Sequence, residues 1–359
     1  MWRRSAWLVV WSLALHGPYD LLADEPAQRS NLLAHQKAVQ FDLVLGRVSA
    51  TNVRVTAARC QTTEKVSGDL RELLSISAQR LTPTIHYAAT DSNGSVVVDV
   101  VNGNEVTIRA ERTDATGTTT KVRFEQPAQG GVSLEISQGG SAANAAPITP
   151  PASQPRARGE NRNRTATQKY AAPSLWHLSL AEREICEAEL LPLLSLLRSH
   201  WQPAEQIRAV EDALFEVAER GTLPDRGRVA ELVVQLASKE FRRRQAGDRQ
   251  LRELGPGVVP YLEVAARGTL DEEQRVRMQA ILQSFAAAAS DTPERVAAWL
   301  ATDPAIWLLL LSNVEPERRQ LAAEHLSKLV SFPLDFDPLA DTATRATQVA
   351  ALRKQCGIR

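Results

Sequence analysis

Read for the spacing of its apolar positions, the chain divides into two regimes. From about Val39 to Ile136, large apolar residues recur at every second position, as at Val39, Phe41, Leu43 and Leu45 against Gln40 and Asp42. That alternation puts one face of a β-strand in a core and the other in water. Further runs follow at Val53 and Val55, Ile85 and Tyr87, Val96 to Val101, Val106 and Ile108, Val122 and Phe124, and Val132, Leu134 and Ile136. Asn93-Gly94, Asn102-Gly103-Asn104, Gly117 and Gly130-Gly131 separate them and supply the left-handed backbone of tight hairpins, which predicts an antiparallel meander. Gly68 to Leu74 reads as one helix covering a face of the sheet.

From Ser174 onward the period lengthens to that of a helix. Ser179 and Glu182 have capping-box spacing ahead of Ile185, Leu190, Leu191 and Leu194, and Pro192 should kink or restart that helix. Pro203 opens a second helix with a stripe of Ile207, Val210, Leu214 and Val217, stopped by Gly221. Asp225 to Ser238, Phe241 to Leu254, Val259 to Arg267 and Asp271 to Ala288 read as further helices, and Thr292-Pro293, Asp303-Pro304 and Glu315-Pro316 each mark another start.

One spacing recurs in this half. Arg244 precedes Leu251 and Leu254, Arg275 precedes Leu282 and Phe285, and Arg319 precedes Leu326 and Leu329, each arginine being followed by apolar residues seven and ten positions on. On a helix those two apolar residues share a face, as a helix stacked between neighbours requires. Around the first copy, Leu236-Ala237-Ser238, Phe241, Arg244-Gln245-Ala246, Leu251, Leu254-Gly255, Pro260, Leu262, Glu273, Arg275, Arg277 and Leu282 resemble the HEAT-like repeat unit of exported and signalling proteins of some bacteria. Arg318-Arg319, Ala322-Ala323, Leu326, Phe336-Asp337-Pro338, Arg345 and Val349 are similar to a second such unit, with Gly247 departing from the Ala usual in the first. The resemblance covers roughly the last third of the chain. It implies an α-solenoid that offers an extended surface to another macromolecule, and it carries no catalytic residues over. The expected fold is therefore an α+β multidomain chain, a small antiparallel β-rich domain followed by an all-α HEAT-like repeat domain.

The ends and the middle add boundaries. Trp2-Arg3-Arg4 followed by the apolar run Ser5 to Leu15 has the length of a secretory signal, since a membrane-crossing helix needs about 20 apolar residues. Cleavage is expected near Ala23, with retention as an anchor the alternative. From Gly139 the chain fills with Gly, Ser, Ala, Pro and Asn, then with Arg156, Arg158, Arg162, Arg164 and Lys169. Such a stretch buries too little apolar surface to offset its ordering entropy. The expected organisation is a signal peptide over 1–23, a β-rich domain over 31–138, a linker over 139–173 that holds the halves apart, and the helical repeat over 174–359.

Chemistry is sparse. Lys+Arg and Asp+Glu both number 42, which gives no electrostatic case for nucleic acid. Histidines 16, 35, 86, 177, 200 and 325 never fall at H-x-x-x-H or H-E-x-x-H spacing, and no nucleophile elbow, phosphate loop or dinucleotide fingerprint occurs. Asp335 and Asp337 alone make a poor cation site. Cys60, Cys186 and Cys356 match no metal spacing, although export would permit a Cys186 to Cys356 bridge. No catalytic, cofactor or metal residue is therefore expected. Trp299 and Trp307 lie in the most apolar stretch of the helical half and are the candidate partner-binding residues, against burial between helix layers. The expected function is that of a non-enzymatic scaffold for a protein partner in the periplasm or cell envelope, with no membrane span after signal cleavage. The alternative is an envelope glycan or polymer binder, which would show a row of exposed aromatics from Phe41, Tyr87 and Phe124.

Overall fold

Strand-formers at alternate positions, punctuated by residues able to adopt positive φ, produce a long meander. The computed structural model describes residues 33, 39–51, 61–79, 82–140, 166–198, 201–221, 224–266, 268, 270–288 and 290–358. Its sheet runs in the order β10-β9-β8-β7-β6-β5-β4-β3, every neighbour antiparallel. The strands are β3 (Gln61–Ser67), β4 (Leu70–Gln79), β5 (Thr82–Thr90), β6 (Gly94–Val101), β7 (Glu105–Thr113), β8 (Thr118–Gln126), β9 (Val132–Gly140) and β10 (Ala166–Ala172). One face buries Leu74, Ile76, Ile85, Tyr87, Val98, Ile108, Phe124 and Leu134. Separately, β1 (Gln40–Val44) and β2 (Arg47–Thr51) form a hairpin. Val53, Val55, Cys60, the expected signal segment over 1–23 and residues 141–165 of the expected linker lie outside the described residues.

Two expectations about the strands need correction. The helix read over 68–74 is a turn at Gly68 (φ +63°) and the start of β4, because Leu70, Glu72, Leu74 and Ile76 keep the two-residue period. Within the 139–173 linker, residues 166–172 are β10, paired with β9 from Ala166↔Gln138 to Ala172↔Val132. Ala166-Thr167-Gln168-Lys169-Tyr170 lacks alternating large apolar residues, and its strand character comes from the partner beside it. The halves are not held apart. Sheet, hairpin and helices share one continuous apolar core in which Phe41, Leu43 and Val48 join Leu134, Leu175, Leu178, Leu190 and Leu194.

The helices follow in chain order. They are α1 (Leu175–Ala181), α2 (Arg183–Ile185), a π-helical turn (Cys186–Leu190), α3 (Leu191–Ser195), α4 (Pro203–Arg220), α5 (Arg226–Gln235), α6 (Phe241–Glu253), α7 (Val259–Ala266), α8 (Glu272–Ala288), α9 (Pro293–Leu300), α10 (Pro304–Leu310), α11 (Pro316–Leu329) and α12 (Thr342–Gln355). Most boundaries stand where the caps and prolines put them: Gly221 ends α4 at φ +66°, and Pro293, Pro304 and Pro316 each sit in a first turn. Ser179 is not a cap. It is buried inside α1, whose N-cap is Ser174, while Glu182 interrupts the helix. Gly247 on α6 lets α5 come close, since an added Cβ would stand 3.2 Å from both Gln235 Cβ and the Leu232 carbonyl oxygen.

The recurring arginine has a physical cause. In each copy it sits four residues after the N-cap and turns its guanidinium back onto the carbonyls just before the helix. Arg244 donates to Ser238 O and Lys239 O at 2.8 and 3.0 Å, Arg275 to Leu270 O at 3.3 Å, and Arg319 to Asn313 O and Val314 O at 2.9 Å each. Arg345 does the same to Ala340 O, a fourth copy whose residue seven on, Leu352, is buried. The forked guanidinium satisfies orphan turn carbonyls that a lysine would serve one at a time.

His325 packs 4.1 Å from the Trp307 ring and bonds Ala301 O through Nε2 at 3.0 Å. Burial, aided by Lys328, holds its imidazole below the usual 6.5, against the opposing pull of that carbonyl. The unfolded chain therefore binds more protons at mildly acid pH, so stability present above pH 6.5 is lost as the pH falls through that value toward the native pKa. Melting between pH 7.5 and 5 should show this loss, and His325→Gln should flatten it; an unchanged slope in the variant would assign the loss to other groups.

Candidate functional site

The helical half carries a groove of about 1250 Å³. It is bounded by α5, α7, the α9–α10 junction and the segments that follow α11 and α12. Its lining mixes apolar and polar side chains, and two of the apolar ones are open to solvent: Val234 on α5 is 70% exposed and Val264 on α7 is 64% exposed. Phe332 and Val330 add half-buried apolar surface, while Asp225, Arg226, Glu263 and Lys328 stand exposed at the lining. Tyr261 also faces the groove, its phenol pushed up by burial.

Below this surface lies a buried polar chain. The Ser174 hydroxyl and His177 Nδ1 are 2.7 Å apart, and His177 Nε2 is 3.0 Å from Asp303 Oδ2. Trp299 meets the imidazole edge to face with centroids 5.8 Å apart, and Thr302 donates to Gly257 O. Serine, histidine and aspartate in a row are the residue types of nucleophilic hydrolysis, but their placement serves another end. Ser174 is 2% exposed, caps α1 by accepting from the His177 N–H, and lies against Gly46 with no open side for a carbonyl to approach. Asp303 in turn caps α10 by accepting from the Ala305 N–H at 2.8 Å. The chain of bonds ties the end of the sheet to the start of α10. Its members were legible singly as caps; a contact spanning 126 positions leaves no local signal.

No family model, curated protein or solved structure matches this chain.

The other expected residues fall elsewhere. Trp299 borders the groove but is only 4% exposed, and Trp307 is wholly buried, with Nε1 donating to Ala301 O at 2.8 Å and Phe215 packed edge to face. Neither presents a ring to a partner, because both fill the space between helix layers. Phe41, Tyr87 and Phe124 are all buried, so they form no exposed aromatic row on the sheet. The open face of the sheet instead carries crossed charges: His86 and Arg109 on Asp99, Lys121 on Glu111, and Lys169 on Glu135. Exposed pairs of this kind contribute little.

Cys186 and Cys356 are free thiols, and the bridge that export would permit is not formed. Burial pushes the Cys186 thiol up to about 12, which leaves little thiolate for chemistry. Asp337 accepts from the Leu339 N–H at 2.8 Å, which is turn chemistry. Among the described residues no three His, Cys, Asp or Glu side chains converge as metal ligands, and no helix is long and apolar enough to cross a membrane.

Proposed function

We propose that this chain is an exported, non-enzymatic scaffold that binds a protein partner through the groove of its HEAT-like helical half. The observation that carries the reading is the pair Val234 and Val264, left 70% and 64% exposed in the lining of one preformed, largely apolar concavity. Single exposed valines need no explanation, but two on the walls of one large concavity are what an apolar anchor would cover. Trp299, beneath the wall, stiffens the floor.

Because both valines are exposed, the Val234→Asp/Val264→Asp variant of the full chain should melt within about 2 °C of wild type. The same variant should lose most of its saturable uptake of 8-anilinonaphthalene-1-sulfonate, a fluorescent apolar probe. Equal uptake by both proteins would sink the groove reading. Export has its own check: a fractionation blot that finds the chain only in the cytoplasm removes that part of the proposal.

A further inference from the structure

The sheet ends at β10, and nothing among the described residues takes up the outer side of that strand. β9 pairs with its inner side without a break from Ala166↔Gln138 to Ala172↔Val132, and no backbone hydrogen bond from another element reaches residues 166–172. The outer N–H and C=O groups of alternate residues therefore face out of the sheet. Thr167, Gln168, Lys169 and Ala171 are exposed along it. Of the devices that blunt such an edge, the strand holds no proline and no bulge, and its one charge, Lys169, is turned onto Glu135 at 3.1 Å. At the other end of the sheet, β3 carries Glu64 and Lys65 side by side.

At the C-terminal end of this strand opens a cleft of about 1160 Å³. It takes in one cross-strand row of the open sheet face, Thr107, Glu125, Ser133 and Ala171, and its lining continues to Glu263 and Ala266 on α7. Every ionisable side chain in that lining is a carboxylate: Glu105, Glu125 and Glu263. The cations nearby are engaged. Arg123 donates to Glu125 at 2.9 Å, and Arg47 donates to the carbonyls of Gly130 and Pro127. A concave site lined by one sign of charge favours the opposite sign in its occupant.

We infer that β10 receives an extended peptide, which joins the eight strands as an antiparallel ninth and carries a cationic side chain at the end lying in the cleft. The edge specifies the backbone of the occupant, because an extended chain is what offers donors and acceptors at the two-residue spacing left open. The cleft specifies the charge: a side chain opposite Ala171 projects beside Ala171 and Ser133, the small members of the row, toward the carboxylates. Opposite Lys169, two positions along, a second cation is repelled. The inference is independent of the groove in the helical half and of what that groove binds.

Fluorescence anisotropy on the full chain tests this with an acetylated heptapeptide of alternating threonine and valine, labelled with fluorescein at its C-terminus. One arginine stands second from the N-terminus, opposite Ala171 in the antiparallel register. Binding should be saturable and salt-sensitive, and the same peptide with glutamate in place of the arginine should bind about tenfold more weakly or worse. Methylating the backbone nitrogens of alternate residues blocks one side of an added strand. One of the two alternate patterns should therefore abolish binding and the other leave it intact, a response that charge attraction alone does not give. Ala171→Lys changes an exposed side chain, so the variant should melt within about 2 °C of wild type and lose the preference for arginine. An equal response to the two methylation patterns, or an arginine preference that persists in Ala171→Lys, would each overturn the inference. So would the absence of saturable binding; a dimer by sedimentation velocity in that case assigns the edge to a second copy.

Discussion

Replacing Asp291 by Ala is expected to destabilise the chain by about 4 kcal/mol, seen as a fall of roughly 10 °C in melting temperature. The hairpin tip Leu45-Gly46 has positive φ at both positions, 50° and 66°, which turns its two N–H groups outward together. Asp291 takes both, the Leu45 N–H on Oδ1 and the Gly46 N–H on Oδ2, each at 2.7 Å, and accepts Trp176 Nε1 on Oδ2 at the same distance. Its own N–H donates to Leu43 O at 2.7 Å. One carboxylate thus satisfies three donors in a part-buried place, and removing it leaves all three without an acceptor.

Gly46→Ala should cost a similar amount by another route. An added Cβ would stand 2.7 Å from Ser174 Cβ and Oγ and 2.8 Å from Trp176 Cδ1, and the left-handed backbone adds strain. Each change undocks the same tip, so the double variant should be little worse than either single one. Additive losses would mean that tip and carboxylate act independently.

Trp307→Ala should cost about 4 kcal/mol through the cavity it leaves. It is the largest wholly buried side chain among the described residues, packed on His325 and Phe215 and bonded to Ala301 O. Trp307→Phe should recover much of the loss while leaving the indole bond unmade. If the Ala variant melts within about 2 °C of wild type, the layer between α10 and α11 is not the packed centre described above.

Much of this architecture is legible in the residues, for reasons that differ by element. The meander shows because one face is solvated, so the alternation at Val98, Val100, Val106 and Ile108 survives in the sequence, and Gly103 and Gly117 mark turns that need positive φ. The helix starts show because proline and capping side chains act locally, as at Asp303-Pro304. Strand β10 hides because its pairing depends on β9 and not on its own side chains. Gly68 to Leu74 misleads because Leu73 and Leu74 side by side interrupt an alternation that Ile76 resumes. The groove is read least well. Val234 and Val264 are ordinary valines until α5 and α7, separated in the chain by α6, bring them to one concavity, and the tryptophans that stand out by composition are the ones the core consumes.

Asp42 with Arg198 at 2.6 Å and Glu189 with Arg112 at 2.8 Å add charged ties between strand and helix elements, beside the grip of Asp291 on the hairpin. The β-rich and helical halves are consequently not interchangeable cassettes. Grafting these helices onto another sheet would leave Asp291 without the turn at 45–46 that its carboxylate accepts from.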